Sequence, residues 1–222
     1  MTSQRAGVRA LTAAEQEQAK ELFKRRVRLI GADSFDDLAG EARAVRHFMA
    51  TTGDPAPQDT WLGLVEGGKL LGAVHAGPNY GQAVQILQIL GQPGAGSPDW
   101  LRMYVERVAS LDEIAVEPAH ERRGVGAALL RAVVTALVSR EAVTVSGFAT
   151  STAMIELARS QGFAIGGYKE PVPASISANM RTAWWDLAPD DGRYFWKVLP
   201  ARGQSLGVRA GGAAGGSGAP AR

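Results

Sequence analysis

The 222-residue sequence predicts one α/β domain, and three observations lead there. Segments with apolar residues at helical three- and four-residue spacing are interleaved with short apolar runs of strand length. In the second half the interleaving runs strand, helix, strand, helix, the order of βαβ units in a mixed sheet. No internal repeat is visible, and the length suits one large domain or at most two small ones.

The elements follow in order along the chain. Thr12-Ala-Ala-Glu15 is a capping box with Leu11 as staple; behind it Ala19, Leu22, Phe23, Val27 and Ile30 predict an amphipathic helix ending at Gly31. Ser34-Phe-Asp-Asp37 opens a second helix with Leu38, Ala42, Val45 and Met49 on its apolar face, until Gly53, Pro55 and Pro57 break the chain. Two apolar runs, 61–65 and 70–74, flank Glu66-Gly-Gly-Lys69 and predict a hairpin. Residues 83–90 suit helix or strand, 91–97 form a loop, and 98–108 suit another helix. From there the pattern gives a strand at 111–116, a helix at 124–139, a strand at 143–148 and a helix at 152–160 closing on Gly162. Further strands are expected at 163–168 and 194–199, with a long irregular connection, 169–192, between them.

Composition narrows the class. With 45% hydrophobic and 21% charged residues the chain is neither disordered, fibrous nor a coiled coil. It has no eighteen-residue apolar run, and the N-terminus opens no secretory segment, so the expected compartment is the cytoplasm without membrane association. The absence of cysteine removes disulfides, thiolate zinc sites and cysteine nucleophiles; three scattered histidines suggest no metal site. The formal charge of +2 reflects three arginines in residues 201–222, without which the chain is net −1. A basic balance is therefore no sign of nucleic acid, which is not an expected partner. The expected organisation is an N-terminal tail at 1–7, a domain at 8–199 and a disordered Gly/Ala-rich tail at 200–222.

The segment richest in chemistry is Leu111-Asp-Glu-Ile-Ala-Val-Glu-Pro-Ala-His-Glu-Arg-Arg-Gly-Val-Gly-Ala-Ala-Leu-Leu130. A strand ends near Pro118, a short loop carries Arg122 and Arg123, and an apolar helix starts behind Gly124 and Gly126. Unbonded first-turn amides, the positive helix end and the arginines together favour an anion such as a pyrophosphate. The glycines alone would also serve tight helix–strand packing. A dinucleotide fingerprint does not fit, because Leu129 stands where the third glycine belongs and residues 143–151 carry no acid. No Gly-Lys-Ser/Thr step makes a Walker A loop.

This segment resembles motif A of the Gcn5-related N-acetyltransferase (GNAT) superfamily, and Val143-Thr-Val-Ser-Gly-Phe-Ala149, Ala153-Met-Ile-Glu-Leu157 and Gln161-Gly-Phe163 resemble its motif B. The resemblance spans roughly residues 8–199. It implies a GNAT-type α/β fold, a mixed and mostly antiparallel sheet splayed at the CoA site with helices on both faces. It implies acetyl-CoA as co-substrate and transfer of an acetyl group to an amine by direct attack. Carried over by position, pyrophosphate contacts fall on Arg122, Arg123, Gly124, Val125, Gly126 and Ala127, and pantetheine contacts on the backbone of Ile114, Ala115 and Val116. Two positions depart from the family pattern. Glu121 stands where Arg or Gln opens the glycine motif, and Ala158 where a tyrosine often protonates the leaving thiolate; Tyr80, Tyr104 and Tyr168 are other candidates for that proton.

An amine acceptor must lose a proton, which calls for a base. Asp112 and Glu113, on the strand entering the cofactor site, are the catalytic candidates, since carboxylates at these positions serve as bases in resembling enzymes. Alternation turns them to opposite faces, so one of the two faces the cleft; Asp112 is preferred, and a bulge in the strand would reverse the choice. His120 adjoins the phosphate loop, His75 ends a hairpin strand near the cleft, and His47 lies on a helix. Lys20, Lys24, Arg25, Arg26 and Arg28 read as the solvated face of a helix, with nucleic-acid binding a weak alternative. Trp184, Trp185 and Trp196 suit an acceptor pocket or ordinary packing. The expected partner is an amine-bearing small molecule or protein amine, and a homodimer is possible. The rival reading is a non-catalytic CoA-binding or protein-interaction module.

Overall fold

The computed structural model describes residues 7–27, 35–91, 99–168 and 192–201. Strand β1 (Gly7–Ala10) leads through the Thr12 cap into α1 (Ala13–Arg26), where Glu15 N–H donates to Thr12 Oγ1 at 3.4 Å and Thr12 N–H to Glu15 Oε2 at 2.9 Å. The expected capping box thus forms. The helix stops short of Gly31, because Val27 is extended and its N–H closes back on the Phe23 carbonyl at 2.7 Å. Strand β1 begins one residue inside the expected tail and has no counterpart in the sequence reading; a four-residue strand with one half-buried side chain leaves no periodicity to find.

Helix α2 (Phe35–Thr51) and the hairpin of β2 (Thr60–Glu66) and β3 (Lys69–Pro78) follow as expected. The ambiguous segment is helix α3 (Tyr80–Leu90), and α4 (Asp99–Arg107) packs against it; Val45, Met49, Ala83, Ile86, Leu101 and Tyr104 bury between α2, α3 and α4. Strand β4 (Val108–Val116) starts three residues earlier than expected, directly from α4. A short 3₁₀ turn (Pro118–His120) precedes α5 (Val125–Ser139), β5 (Thr144–Ala149) and α6 (Thr152–Ser160). Strand β6 is only Ala164–Ile165, and β7 spans Arg193–Val198. The expected tail lies almost wholly outside the described residues, as do most of the 169–192 connection and its Trp184 and Trp185. No described helix is long and apolar enough to cross a membrane.

The seven strands of the described residues form one sheet in the order β1-β2-β3-β4-β5-β7-β6, antiparallel except for the β4–β5 pair. Helix α5 covers one face: Leu129, Leu130, Val133 and Leu137 pack on Val74, Ala76, Leu111 and Val145. Each such leucine contributes about 1.5–3 kcal/mol by leaving water. Helix α1 covers the other face with Leu22 and Phe23 against Ala73 and Ala115.

Two irregularities in β4 position the site. It pairs with β5 only over four rungs, Val108↔Thr144 to Leu111↔Gly147, and beyond these the strands part, leaving the β5-facing edge of residues 112–116 open. On its other edge the register with β3 slips, from Ala76↔Leu111 to His75↔Glu113, so Asp112 is the extra residue of a bulge.

Candidate active site

The open edge of β4 runs into the loop before α5. Glu117 N–H donates to the Leu71 carbonyl at 2.9 Å, so alternation turns the backbone of Ala115 and Glu113 toward β3 and that of Ile114 and Val116 toward the space β5 has left. Of the three backbone positions expected to meet the pantetheine arm, Ile114 and Val116 therefore face the opening and Ala115 is committed to β3.

At the end of this edge the chain reverses through two left-handed residues, Arg122 at φ 60° and Gly124 at φ 82°. Gly124 is the N-cap of α5 and supplies no side chain to it, so the first amides of the helix, at 125–127, lack intrahelical acceptors and point past the cap. The first bond of the helix is Ala128 N–H to the Gly124 carbonyl at 2.9 Å. A Cβ on Gly126 would stand 3.2 Å from Leu157 Cδ2 and 3.8 Å from Val116 Cγ2, so this glycine also lets α5 approach α6 and β4. The two readings of the glycines hold together: Gly124 provides the turn, Gly126 the close packing. Arg122 and Arg123 are exposed beside the turn and make no ion pair among the described residues.

Glu121 turns away from this loop. Its carboxylate is ion-paired with Arg26 on α1, while Arg25 holds Glu117 at 3.0 Å. Lys20 and Lys24 pair with Glu17 and Glu21 at 2.7 and 2.8 Å. The basic run of α1 is therefore a paired surface; Arg28 lies outside the described residues.

The bulge in β4 assembles the second half of the site. Asp112 and Glu113 do not point to opposite faces: the extra residue brings both carboxylates onto the ring of His75 in β3, which corrects the simple alternation. His75 Nδ1–H donates to Glu113 Oε2 at 2.7 Å and lies 3.5 Å from Asp112 Oδ2. Its Nε2 is buried, 3.9 Å from Asp59 Oδ2 and too far for a hydrogen bond. Asp59 in turn accepts from Tyr80 Oη at 2.8 Å and from Arg46 of α2 at 2.5 Å. Trp61 of β2 stacks on the imidazole at 4.1 Å. The donor atoms of His75, Asp112 and Glu113 lie within 4.8 Å of one another. The histidines are thus not all scattered, although Nδ1 already serves a carboxylate.

Burial opposes protonation of His75, but Asp59, Glu113 and Asp112 outweigh it and raise the imidazole to about 10, which favours its protonated form. Desolvation pushes Asp112 up to about 7, with the Glu113 charge adding to it and the imidazolium opposing it. Burial likewise raises Asp59, yet His75, Tyr80 and Arg46 bring it below the usual carboxylate range. The Tyr80 hydroxyl is raised, first by burial and then by Asp59. Access separates the two candidate bases: the Glu113 side chain is 6% exposed and that of Asp112 is 25% exposed.

Elsewhere, Ala158 is fully buried in the core against which α5 packs. Tyr104 is buried between α3 and α4 and donates to Gln82, Tyr168 is exposed, and Trp196 lies half-buried on β7. His120 sits on the 3₁₀ turn and His47 is exposed on α2. The participants that sequence reasoning missed are Asp59 and Arg46. Neither lies in a recognisable motif, and only the fold brings the loop before β2 and the middle of α2 to His75.

Known structures share this architecture at low identity. The GCN5-related N-acetyltransferase from Kribbella flavida is 20% identical, with 86% of this chain and 96% of that chain covered and a TM-score of 0.50. The Salmonella typhimurium protein yncA, solved with its cofactor acetyl-CoA, is 15% identical over 90% and 98% of the two chains, TM-score 0.53. The phosphinothricin acetyltransferase from Sinorhizobium meliloti, solved in complex with AcCoA, is 15% identical over 87% and 88%, TM-score 0.52. No curated protein matches the sequence. At this distance the structural likenesses establish the fold, a GNAT-type mixed sheet with helices on both faces. The family rests on the sequence itself: residues 28–163, a span that begins after α1 and includes α2 to α6, match the Acetyltransferase (GNAT) family, and the chain belongs to it.

Proposed function

We propose that the protein is an acetyl-CoA-dependent N-acetyltransferase that acetylates a cationic amine by direct attack, with Asp112 as the base. The observation that carries this reading is the open edge of β4, which runs from the carboxylate cluster at the bulge to the uncapped N-terminus of α5. An extended chain bearing a pyrophosphate fits such a groove. The amides at 125–127 with Arg122 and Arg123 would hold the phosphates, and the backbone of Ile114 and Val116 would pair with the pantetheine arm. Bound acetyl-CoA supplies the acetyl group as a reactive thioester. The Val116 N–H, facing the same opening, is the donor suited to an acyl oxygen laid there.

Asp112 is the more accessible carboxylate and is raised to about 7, where a base is half ionised at neutral pH. Glu113 instead anchors His75. His75 is poorly placed as the base, since Nδ1 is committed to Glu113 and Nε2 is buried; it acts as a positioning residue whose protonated form keeps Asp112 ionisable. Three carboxylates against His75 and Arg46 leave the cluster net negative, which supports a cationic acceptor such as a polyamine, an aminoglycoside, a peptide N-terminus or a lysine.

The test is calorimetric titration with acetyl-CoA followed by release of free thiol in the presence of these four amine classes. Binding in the micromolar range with thiol release on one class supports the reading. Binding without release on any amine favours the non-catalytic module, and absence of binding overturns the function altogether.

A further inference from the structure

The loop that precedes α5 contains an acid three residues ahead of Gly124, and an isolated carboxylate there would stand at the mouth of an anion site. Glu121 is the nearest anion in sequence to the positive end of α5, and in competition with a phosphate it would be drawn to the same amides. What holds it elsewhere is α1. Arg25 and Arg26, consecutive in the last turn, pair with Glu117 and Glu121, the two glutamates that bracket the 3₁₀ turn. The pair bridges elements 95 residues apart in sequence, so it depends on the fold and not on local propensity.

We infer that Arg26 is a positioning residue for cofactor binding: it withdraws the Glu121 carboxylate from the phosphate loop, so that a loop carrying an acid still accepts a pyrophosphate. This rests on reading the loop as the pyrophosphate site for acetyl-CoA. The pair is exposed on both sides, at 40% and 45%, so its direct contribution to stability is small. Its effect is on where one negative charge points.

The experiment is calorimetric titration with acetyl-CoA of the full chain and three variants: Arg26→Ala, Glu121→Gln and the double substitution. Arg26→Ala should bind about fivefold more weakly at low salt, since it frees one carboxylate beside two phosphate charges, and the loss should shrink in 0.5 M salt, roughly, where such charges are screened. Glu121→Gln should bind as well as the unaltered protein or slightly better. The double variant should recover the affinity that Arg26→Ala loses, which a folding defect at the end of α1 or a lost direct contact with phosphate would not allow. Equal binding by Arg26→Ala and the unaltered protein, or a double variant as weak as Arg26→Ala, overturns the inference while leaving the functional reading in place. Failure of the unaltered protein to bind acetyl-CoA overturns both.

Discussion

The two halves of the candidate site are built in opposite ways. The proposed phosphate loop is made by backbone: a left-handed turn, an uncapped helix end and glycines that keep side chains away. The bulge cluster is made by side chains from three strands or their edges and two helices, with His75 at its centre. The first is positive and open, the second net negative and largely buried. A backbone site is written in consecutive residues, whereas a side-chain cluster is written across the chain and depends on register.

The largest expected effect tests the backbone half. Gly124→Glu together with Gly126→Glu forces a side chain into a left-handed position, crowds Leu157 and brings two negative charges to the helix end. Acetyl-CoA binding measured by calorimetry should fall by at least about a hundredfold. A smaller loss would mean the loop is a packing device only.

Next comes the side-chain half. Asp112→Asn should lower kcat by roughly 10²–10⁴-fold with little change in acetyl-CoA affinity, and this split between the two readouts separates the halves. The base acts when ionised, so the rate should rise with pH through about 7 and level off above it. His75→Gln removes the opposing cation, and the rising limb should then move to higher pH.

Stability supplies a third test of the same cluster. The His75 pKa is raised in the fold, from 6.5 to about 10, so its stabilising contribution is complete below about 6.5 and is lost as pH climbs through 10. The thermal midpoint of the protein should therefore drop by several degrees between mildly acidic and strongly alkaline buffer. In His75→Gln that dependence should flatten. The smallest effect lies outside both halves: Thr12→Ala removes the α1 capping box, at a cost of about 1 kcal/mol, and should leave the affinity for acetyl-CoA unchanged.

How much of this was legible follows from the same contrast. The strand–glycine–helix order from 111 to 139 identified the loop because the conformations it needs are local, and the spacing of Leu129, Val133 and Leu137 located the α5 core face. Strand β1 was invisible because four residues carry no pattern. The ends of α4 and β4 were displaced because residues 108–110, Val-Ala-Ser, carry neither a breaker nor a period that separates helix from strand. The bulge defeated the assignment of faces: alternation is a rule about paired strands, and one extra residue cancels it for both Asp112 and Glu113. Asp59 and Arg46 gave no sign at all, since what makes them part of the site is the distance to His75 and to each other.

The four-rung ladder between β4 and β5 has a mechanical meaning beyond leaving an edge open. Past Leu111 and Gly147 the sheet is a seam left partly unfastened, with strands β1 to β4 on one side and β5 to β7 on the other. Helix α5 packs on β1 to β4 and meets α6, which packs on β5 to β7, so the two helices together strap the seam. A molecule lying in the opening would serve as the missing rungs, so ligation would stiffen the sheet along the one line where its own hydrogen bonds stop.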